Sequence, residues 1–402
     1  MSSVSSTPAA SGGPAAPGGP AAPGPGAPGI PVMVPWLGEE EAEAAAEAVR
    51  SGWVAQGPRV AAFERAFAEH LGVAHAVAVS SCTSALHLAL IGAGVGPGDE
   101  VVVPSLSFVA TANAVTYVGA VPVFADVDPD TGNLTAGTVA PLLTARTRAV
   151  VAVDQGGVPV DLDAIRAAVE PRGITVVEDA ACGAGSLLRG RPVGSTAAIA
   201  AYSFHPRKLL TTGEGGMVTC RDGDLAARLR RLREHGMSVS AADRHAAAGG
   251  ASLLETYDEI GFNYRMTDVQ AAIGLVQLRK LPAMVARRRE LAARYRELLA
   301  GTGVRLVADP AHGTTNYQSC WVLPPDGAPD RTELLTRLAA AGVSARRGIM
   351  AAHLEAPYKG TARVPLPATE LLTGRSLILP LHHALTEPQQ DRVVAALRAA
   401  LG

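Results

Sequence analysis

"DEVVVPSLSFVATANAVTYVGAVPVFADVD", residues 99–128, decides the fold. It opens with a β-branched run at Val101–Val103. An Ala/Val-rich stretch follows and stops at Gly119, and a second apolar run begins at Val121. Short β-branched runs between turn residues predict strands, and the stretch between them predicts a helix ended by glycine. The same unit repeats outward. Residues 74–80 and 83–94 read as strand then helix. Residues 135–147, 149–154, 161–173 and 174–179 read as helix, strand, helix and strand, and residues 197–204 and 215–220 add two strands. Repeated β-α alternation with apolar strands predicts an α/β fold, a mostly parallel sheet with helices on both faces. Ligands of such sheets bind beyond the carboxyl ends of the strands.

Beyond residue 220 the pattern turns helical. Residues 267–300 have helical spacing with Pro282 inside, which predicts a break or kink there. A smaller α+β part is expected after it, from residues 316–324, 330–342, 343–349 and 387–402. The expected organisation is a Pro/Ala/Gly-rich disordered tail at 1–30, a large unit at 31–285 and a small C-terminal domain at 286–402.

Composition narrows the function. The chain has 402 residues, a formal net charge of −2 and 48% hydrophobic residues. No basic footprint for nucleic acid is present. No apolar run reaches the roughly 18 residues that suggest a membrane span, and the N-terminus lacks the basic start of a signal peptide. Cys82, Cys182, Cys220 and Cys320 are widely spaced, without a metal-type cluster, so no metal is expected and a reducing, cytoplasmic setting is.

Of 35 Lys plus Arg, three are lysine: Lys208, Lys280 and Lys359. Lys280 and Lys359 read as solvated. Lys208 follows a strand by a few residues and precedes "TTGEGG" (211–216), whose glycines permit a tight turn. A guanidinium is a poor nucleophile, so a covalent amine is a task for lysine alone. Each neighbouring signal has an ordinary reading too. "SSCTSALHLAL" (80–90) suits a phosphate at a helix N-terminus, or is a Ser/Thr cap. Asp179, ending a strand, needs a partner or caps the next segment. Cys182 reads as a small buried residue. "GAGVGPG" (92–98) follows a helix and precedes a strand, the wrong context for a dinucleotide loop. Taken together, Lys208, Asp179, Phe108 and the polar turn project to one rim. They meet the needs of pyridoxal phosphate: an amine, a carboxylate for the pyridinium nitrogen, an aromatic for the ring face and a phosphate cradle.

The chain resembles the DegT/StrS-type (DegT/DnrJ/StrS) sugar aminotransferases, fold-type I pyridoxal-phosphate enzymes. The resemblance rests on "SCTSALHLAL", "GDEVVVPSLSFVATANAV", "VPVFADVD", "EDAACGAGS", "SFHPRKLLTTGEGGM" and "GFNYRMTDVQAAIGLVQL", and runs from about residue 35 to the C-terminus. It implies Lys208 as the Schiff-base lysine and proton shuttle. It places Asp179 on the pyridine nitrogen and Phe108 on the ring, with Cys82, Thr83 and Ser203 at the phosphate. Asn263, with Arg265 as companion, would reach a neighbouring subunit's phosphate site, so a homodimer is implied. Cys182 stands where many members carry Gln or His, which puts that contact in question.

The implied reaction moves an amino group from a donor, L-glutamate, to a keto-sugar, foremost a nucleotide-linked 4-keto- or 3-keto-6-deoxy sugar. The alternatives are a keto-cyclitol or other non-sugar ketone, another pyridoxal-phosphate activity on the same frame, and a non-catalytic regulator. Lys208 must be neutral to act, which burial and nearby cations would favour. For the acceptor, Arg346 and Arg347 with His353 are candidates for a diphosphate, and equally readable as solvated strand-end groups. His205 lines the acceptor pocket or packs in its own turn.

Overall fold

The computed structural model describes residues 29–239 and 254–402. The expected tail lies outside them except for its last two residues. Ile30 is fully buried and pairs in parallel with Val343.

The main sheet contains β1 (His75–Val79), β2 (Glu100–Pro104), β3 (Val121–Ala125), β4 (Thr147–Val153) and β5 (Thr175–Asp179). After two short strands, β6 (Leu187–Leu188) and β7 (Arg191–Pro192), it is completed by β8 (Ile199–Ser203) and β9 (Gly216–Cys220). The order is β1-β9-β8-β5-β4-β2-β3. β9 runs antiparallel to both its neighbours, and the other adjacent pairs are parallel.

Alternation along each strand divides the core in two. Ala76, Ala78, Val102 and Val150 face one layer with Phe63, Phe67, Ile165 and Leu281. Val77, Val79, Val101 and Val103 face the other with Leu86, Leu88, Ala114 and Leu229. The first layer is built from α1 (Glu39–Arg50), α2 (Pro58–Leu71), the short α5 (Ala136–Val139), α6 (Leu162–Val169) and α8 (Asp268–Leu298). The second is built from α3 (Cys82–Gly92), α4 (Ala110–Tyr117) and α7 (Gly223–Leu232). Strands buried on both faces are apolar almost throughout, which is why their sequences do not alternate.

The break expected at Pro282 does not occur. α8 is one helix of 31 residues, opened by a Thr267/Gln270 capping box. Pro282 points outward, while Leu278, Leu281, Met284 and Leu291 stay buried. Tertiary packing of that stripe outweighs the local cost of the ring.

Beyond α8 a four-stranded antiparallel sheet has the order β10-β12-β14-β13, from β10 (Arg305–Leu306), β12 (Cys320–Leu323), β13 (Arg346–Arg347) and β14 (Leu377–Leu379). Helices α9 (Arg331–Ala340) and α11 (Glu387–Leu401) pack together through Leu334, Leu338, Val393 and Leu397. α10 (Pro367–Arg375) leads into β14, and β11 (Gly313–Thr314) pairs with β6. No helix among the described residues is long and apolar enough to cross a membrane.

Candidate active site

The carboxyl ends of β2, β5 and β8 open on one rim, where the predicted residues gather. Asp179 ends β5 and is 3% exposed. Its Oδ2 accepts a hydrogen bond from Thr111 Oγ1 at 2.9 Å, and its Oδ1 accepts the Ala181 amide at 3.2 Å. Thr111 also meets Ser107 Oγ at 2.8 Å, so α4 buttresses the carboxyl. Burial raises the Asp179 carboxyl. Thr111, Ala181 and Lys208 offset that in part, and the net direction is upward. A buried acid in that condition gains from a cation placed against it.

Lys208 Nζ donates to Cys182 Sγ at 3.1 Å. Burial pulls this amine down, while Cys182, Cys82 and Asp179 together pull it up by more. The sequence reading invoked nearby cations to keep the lysine neutral. The groups acting on it are thiols and a carboxyl, and the net direction on the amine is upward.

The polar turn becomes an anion cradle. Helix α3 begins at Cys82, one residue before the stretch read as helix in the sequence, with Ser81 as N-cap accepting the Ser84 amide at 3.1 Å. The Cys82 and Thr83 amides, the first two of the helix, donate to nothing among the described residues. Free N–H groups at a helix start favour a phosphate. β9 passes directly beneath. A Cβ on Gly216 would lie 2.5 Å from the Ser81 carbonyl and 2.7 Å from the Cys82 nitrogen, so only glycine fits. Ser203 and Val79 both pair with Gly216, which sets Ser203 beside the cradle. The Cys82 thiol is pushed well up, by burial first and then by Asp179. Phe108 is 69% exposed, one turn before Thr111, on the open side of the rim.

The remaining candidates divide. Asn263 is exposed and makes no side-chain hydrogen bond to the described residues, and Arg265 is half-buried. His205 is engaged in its own turn: Nδ1 accepts the Arg207 amide at 3.1 Å, and Nε2 lies 3.9 Å from Glu214. His353 is buried, with Nδ1 2.6 Å from Ser105 Oγ and Nε2 3.6 Å from Glu370. It anchors residues 351–353 on the end of β2, where Leu106 pairs with Ala351. Arg346 and Arg347 are exposed on β13, at the edge of its sheet. Arg346 is pulled down by burial and by the charge of Arg207, the residue before Lys208.

Three residues near the rim escaped the sequence reading. Asp154 is fully buried, with Oδ1 accepting the Val160 amide at 2.9 Å and Oδ2 without a partner. Burial first, then Glu178, holds its carboxyl far above the usual range. Asn316 and Gln318 bind the two loops that carry Cys182 and Lys208. Their one signal was two amides in a stretch about to become a buried strand.

Known proteins resemble the chain over nearly its whole length. The profile of the DegT/DnrJ/EryC1/StrS aminotransferase family matches residues 35–398. The GDP-perosamine synthase of Caulobacter vibrioides is 39% identical over 379 residues, covering 93% of this chain and 99% of that one. The aminotransferase TlmJ of Streptoalloteichus hindustanus is 42% identical with a TM-score of 0.85, covering 92% of this chain and 98% of that one. Spr1654 of Streptococcus pneumoniae, solved in a PLP form, is 27% identical with a TM-score of 0.85, again covering 92% and 98%. The chain belongs to the DegT/DnrJ/EryC1/StrS aminotransferase family, a family of pyridoxal-phosphate enzymes of fold type I.

Proposed function

We propose that this aminotransferase moves an amino group from L-glutamate to the ketone of a nucleotide-linked sugar, with Lys208 as the covalent and proton-carrying residue. The observation behind this reading is the convergence of the Lys208 amine, the Asp179 carboxyl and the free amides of α3 on one rim. The Caulobacter relative, named for a GDP-sugar product, supports the acceptor class.

The residues present fit pyridoxal phosphate. Cys82 and Thr83 amides with Ser203 would hold its phosphate, Asp179 its ring nitrogen, and Phe108 its face. Bound there, the cofactor supplies an electron sink for breaking the bond to the proton on the donor's amine-bearing carbon. Lys208 then takes that proton and returns it elsewhere. To do so it must shed the proton it holds beside Cys182 and Asp179, and a cation against Asp179 weakens that hold. Thr111 and Ser107 keep Asp179 aimed. Arg346, with Arg207 next to Lys208, offers guanidinium groups without an ion pair among the described residues, suited to a diphosphate or a donor carboxylate. Cys182 replaces an amide or imidazole with a weaker hydrogen-bonding group.

The site is completed by a second copy of the chain. Asn263 projects outward without a partner among the described residues, and Ile260 is 89% exposed nearby. The division into units at 31–285 and 286–402 belongs to the same proposal, and limited proteolysis tests it.

The deciding experiment loads the enzyme with pyridoxal phosphate and adds L-glutamate alone. One 2-oxoglutarate per site is expected, followed by amine formation when a nucleotide keto-sugar is added. Turnover of a keto-cyclitol in place of nucleotide sugars would overturn the acceptor. No 2-oxoglutarate at all would overturn the donor.

A further inference from the structure

The stretch Asn316–Gln318 lies just before β12, and its side chains are nearly sealed, at 1% and 8% exposure for Asn316 and Gln318. Gln318 holds the chain on both sides of Lys208: Oε1 accepts the Leu209 amide at 2.9 Å, and Nε2 donates to the Arg207 carbonyl at 2.6 Å. Asn316 forks its amide to the Cys182 and Ala184 carbonyls, each at 2.8 Å. The two loops that meet where Lys208 Nζ touches Cys182 Sγ are therefore fastened to one three-residue strap.

The strap is itself over-determined. Asn316 Oδ1 accepts the Gln318 amide at 2.7 Å, which bends the backbone over Tyr317. Tyr317 sits at φ 51°, a left-handed conformation that a bulky residue adopts only when its surroundings impose it. Arg288 of α8 clamps that bend, with Nε donating to the Tyr317 carbonyl at 2.7 Å and Nη2 to the Gln318 carbonyl at 2.8 Å. Arg288 is buried with no carboxylate on it among the described residues, and these carbonyls take its donors.

We infer that Asn316 and Gln318 are positioning residues that fix the Lys208 amine against Cys182 and Asp179. They touch no reacting atom. They act by holding the peptide units flanking the lysine and the loop opposite it. Spacer residues in those places would fill the volume and leave the amine free to wander. The inference rests on Lys208 being the residue that joins the cofactor, and the experiment tests the two separately.

Borohydride reduction of the loaded wild-type enzyme followed by peptide mapping comes first. A label on any residue but Lys208 overturns that assignment, whatever the strap does. Gln318→Ala and Gln318→Glu are then compared with wild type in the loaded form. The glutamate keeps the acceptor for Leu209 and loses the donor to Arg207, so it separates the two bonds. The expected result is a shifted pH midpoint for the visible band of the bound cofactor. A fall in kcat on the order of 10²-fold for Gln318→Ala should accompany it, with KM for the donor nearly unchanged. Gln318→Glu should fall between. Without cofactor, amide exchange should quicken at residues 205–211. If Gln318→Ala does not fold, Gln318→Glu and Asn316→Asp decide by the same readouts. A wild-type band midpoint and wild-type kcat per bound cofactor in the folded variants would overturn the inference.

Discussion

At the scale of the residue, Lys208 is where chemistry and composition meet. Arginine is the habitual cation of this chain, and Lys208→Arg keeps the charge beside Cys182 while removing the proposed nucleophile. Turnover should fall by roughly 10³-fold or more, read as 2-oxoglutarate released from glutamate. Asp179→Asn tests a different property. The amide oxygen can still accept from Thr111, but the NH2 cannot accept the Ala181 amide, and the charge proposed for the ring nitrogen is lost. The expected outcome is a kcat lower on the order of 10²-fold with an intact fold, checked by circular dichroism alongside kinetics. These two residues stood out in the sequence for different reasons: Asp179 ends an apolar strand, and Lys208 is one of three lysines in a chain whose cations are otherwise arginine. Asn316 and Gln318 were not. Their partners are main-chain atoms 134 and 109 residues away, and nothing local marks a side chain as reserved for them. The groups that act on the Lys208 amine come from two other segments, at Cys82 and at Asp179–Cys182.

At the scale of the element, the main sheet was readable nearly strand by strand, since buried parallel strands carry unbroken β-branched runs. The two-residue strands β6, β7, β10, β11 and β13 carry no period at all and emerge from tertiary pairing alone. Helices α1 and α2 precede the alternating region and were not assigned from the sequence. Pro282 was read as a break because proline costs a helix about 3 kcal/mol relative to alanine. The structure tolerates that cost on an exposed position of α8, so Pro282→Ala should raise the melting temperature, measured calorimetrically, without touching activity. Gly216 is the opposite case. Gly216→Ala drives a methyl into the Ser81 backbone at the start of α3, where neither element can yield. The expected outcome is a loss of roughly 1–3 kcal/mol of stability and weaker cofactor binding, measured by fluorescence titration.

At the scale of the whole molecule, buried groups shape the response to pH, Glu178 and His382 among them, with the raised Asp154 acting in the same direction as Glu178. Burial raises Glu178 to about 8, and it lowers His382 to about 4. The folded Glu178 carboxyl binds its proton more tightly than the unfolded one. Its contribution is whole below the unfolded value of about 4.5 and is lost as pH rises through about 8. His382 runs the other way. Its neutral form is the native one, so its contribution is whole above about 6.5 and is lost as pH falls through about 4. Thermal stability should therefore decline between pH 6.5 and 8, and Glu178→Gln should flatten that decline, as read by melting temperature across the range. Assembly gives a second test at this scale. Lys208→Ala and Asn263→Ala proteins, each impaired alone, should regain part of the activity when mixed, because a mixed dimer restores one complete site.

The lone antiparallel strand carries a consequence for biogenesis. β9 stands between β1 and β8, so β1 has no neighbour in the sheet until the chain has been made as far as residue 220. That partner lies roughly 140 residues downstream, a separation that slows folding. At a ribosomal pace of about 5–20 residues per second, an apolar segment would wait on the order of 10 s for its pairing. The nascent chain must keep His75–Val79 sheltered for that time, which makes this strand the place where chaperone dependence and aggregation during expression would concentrate.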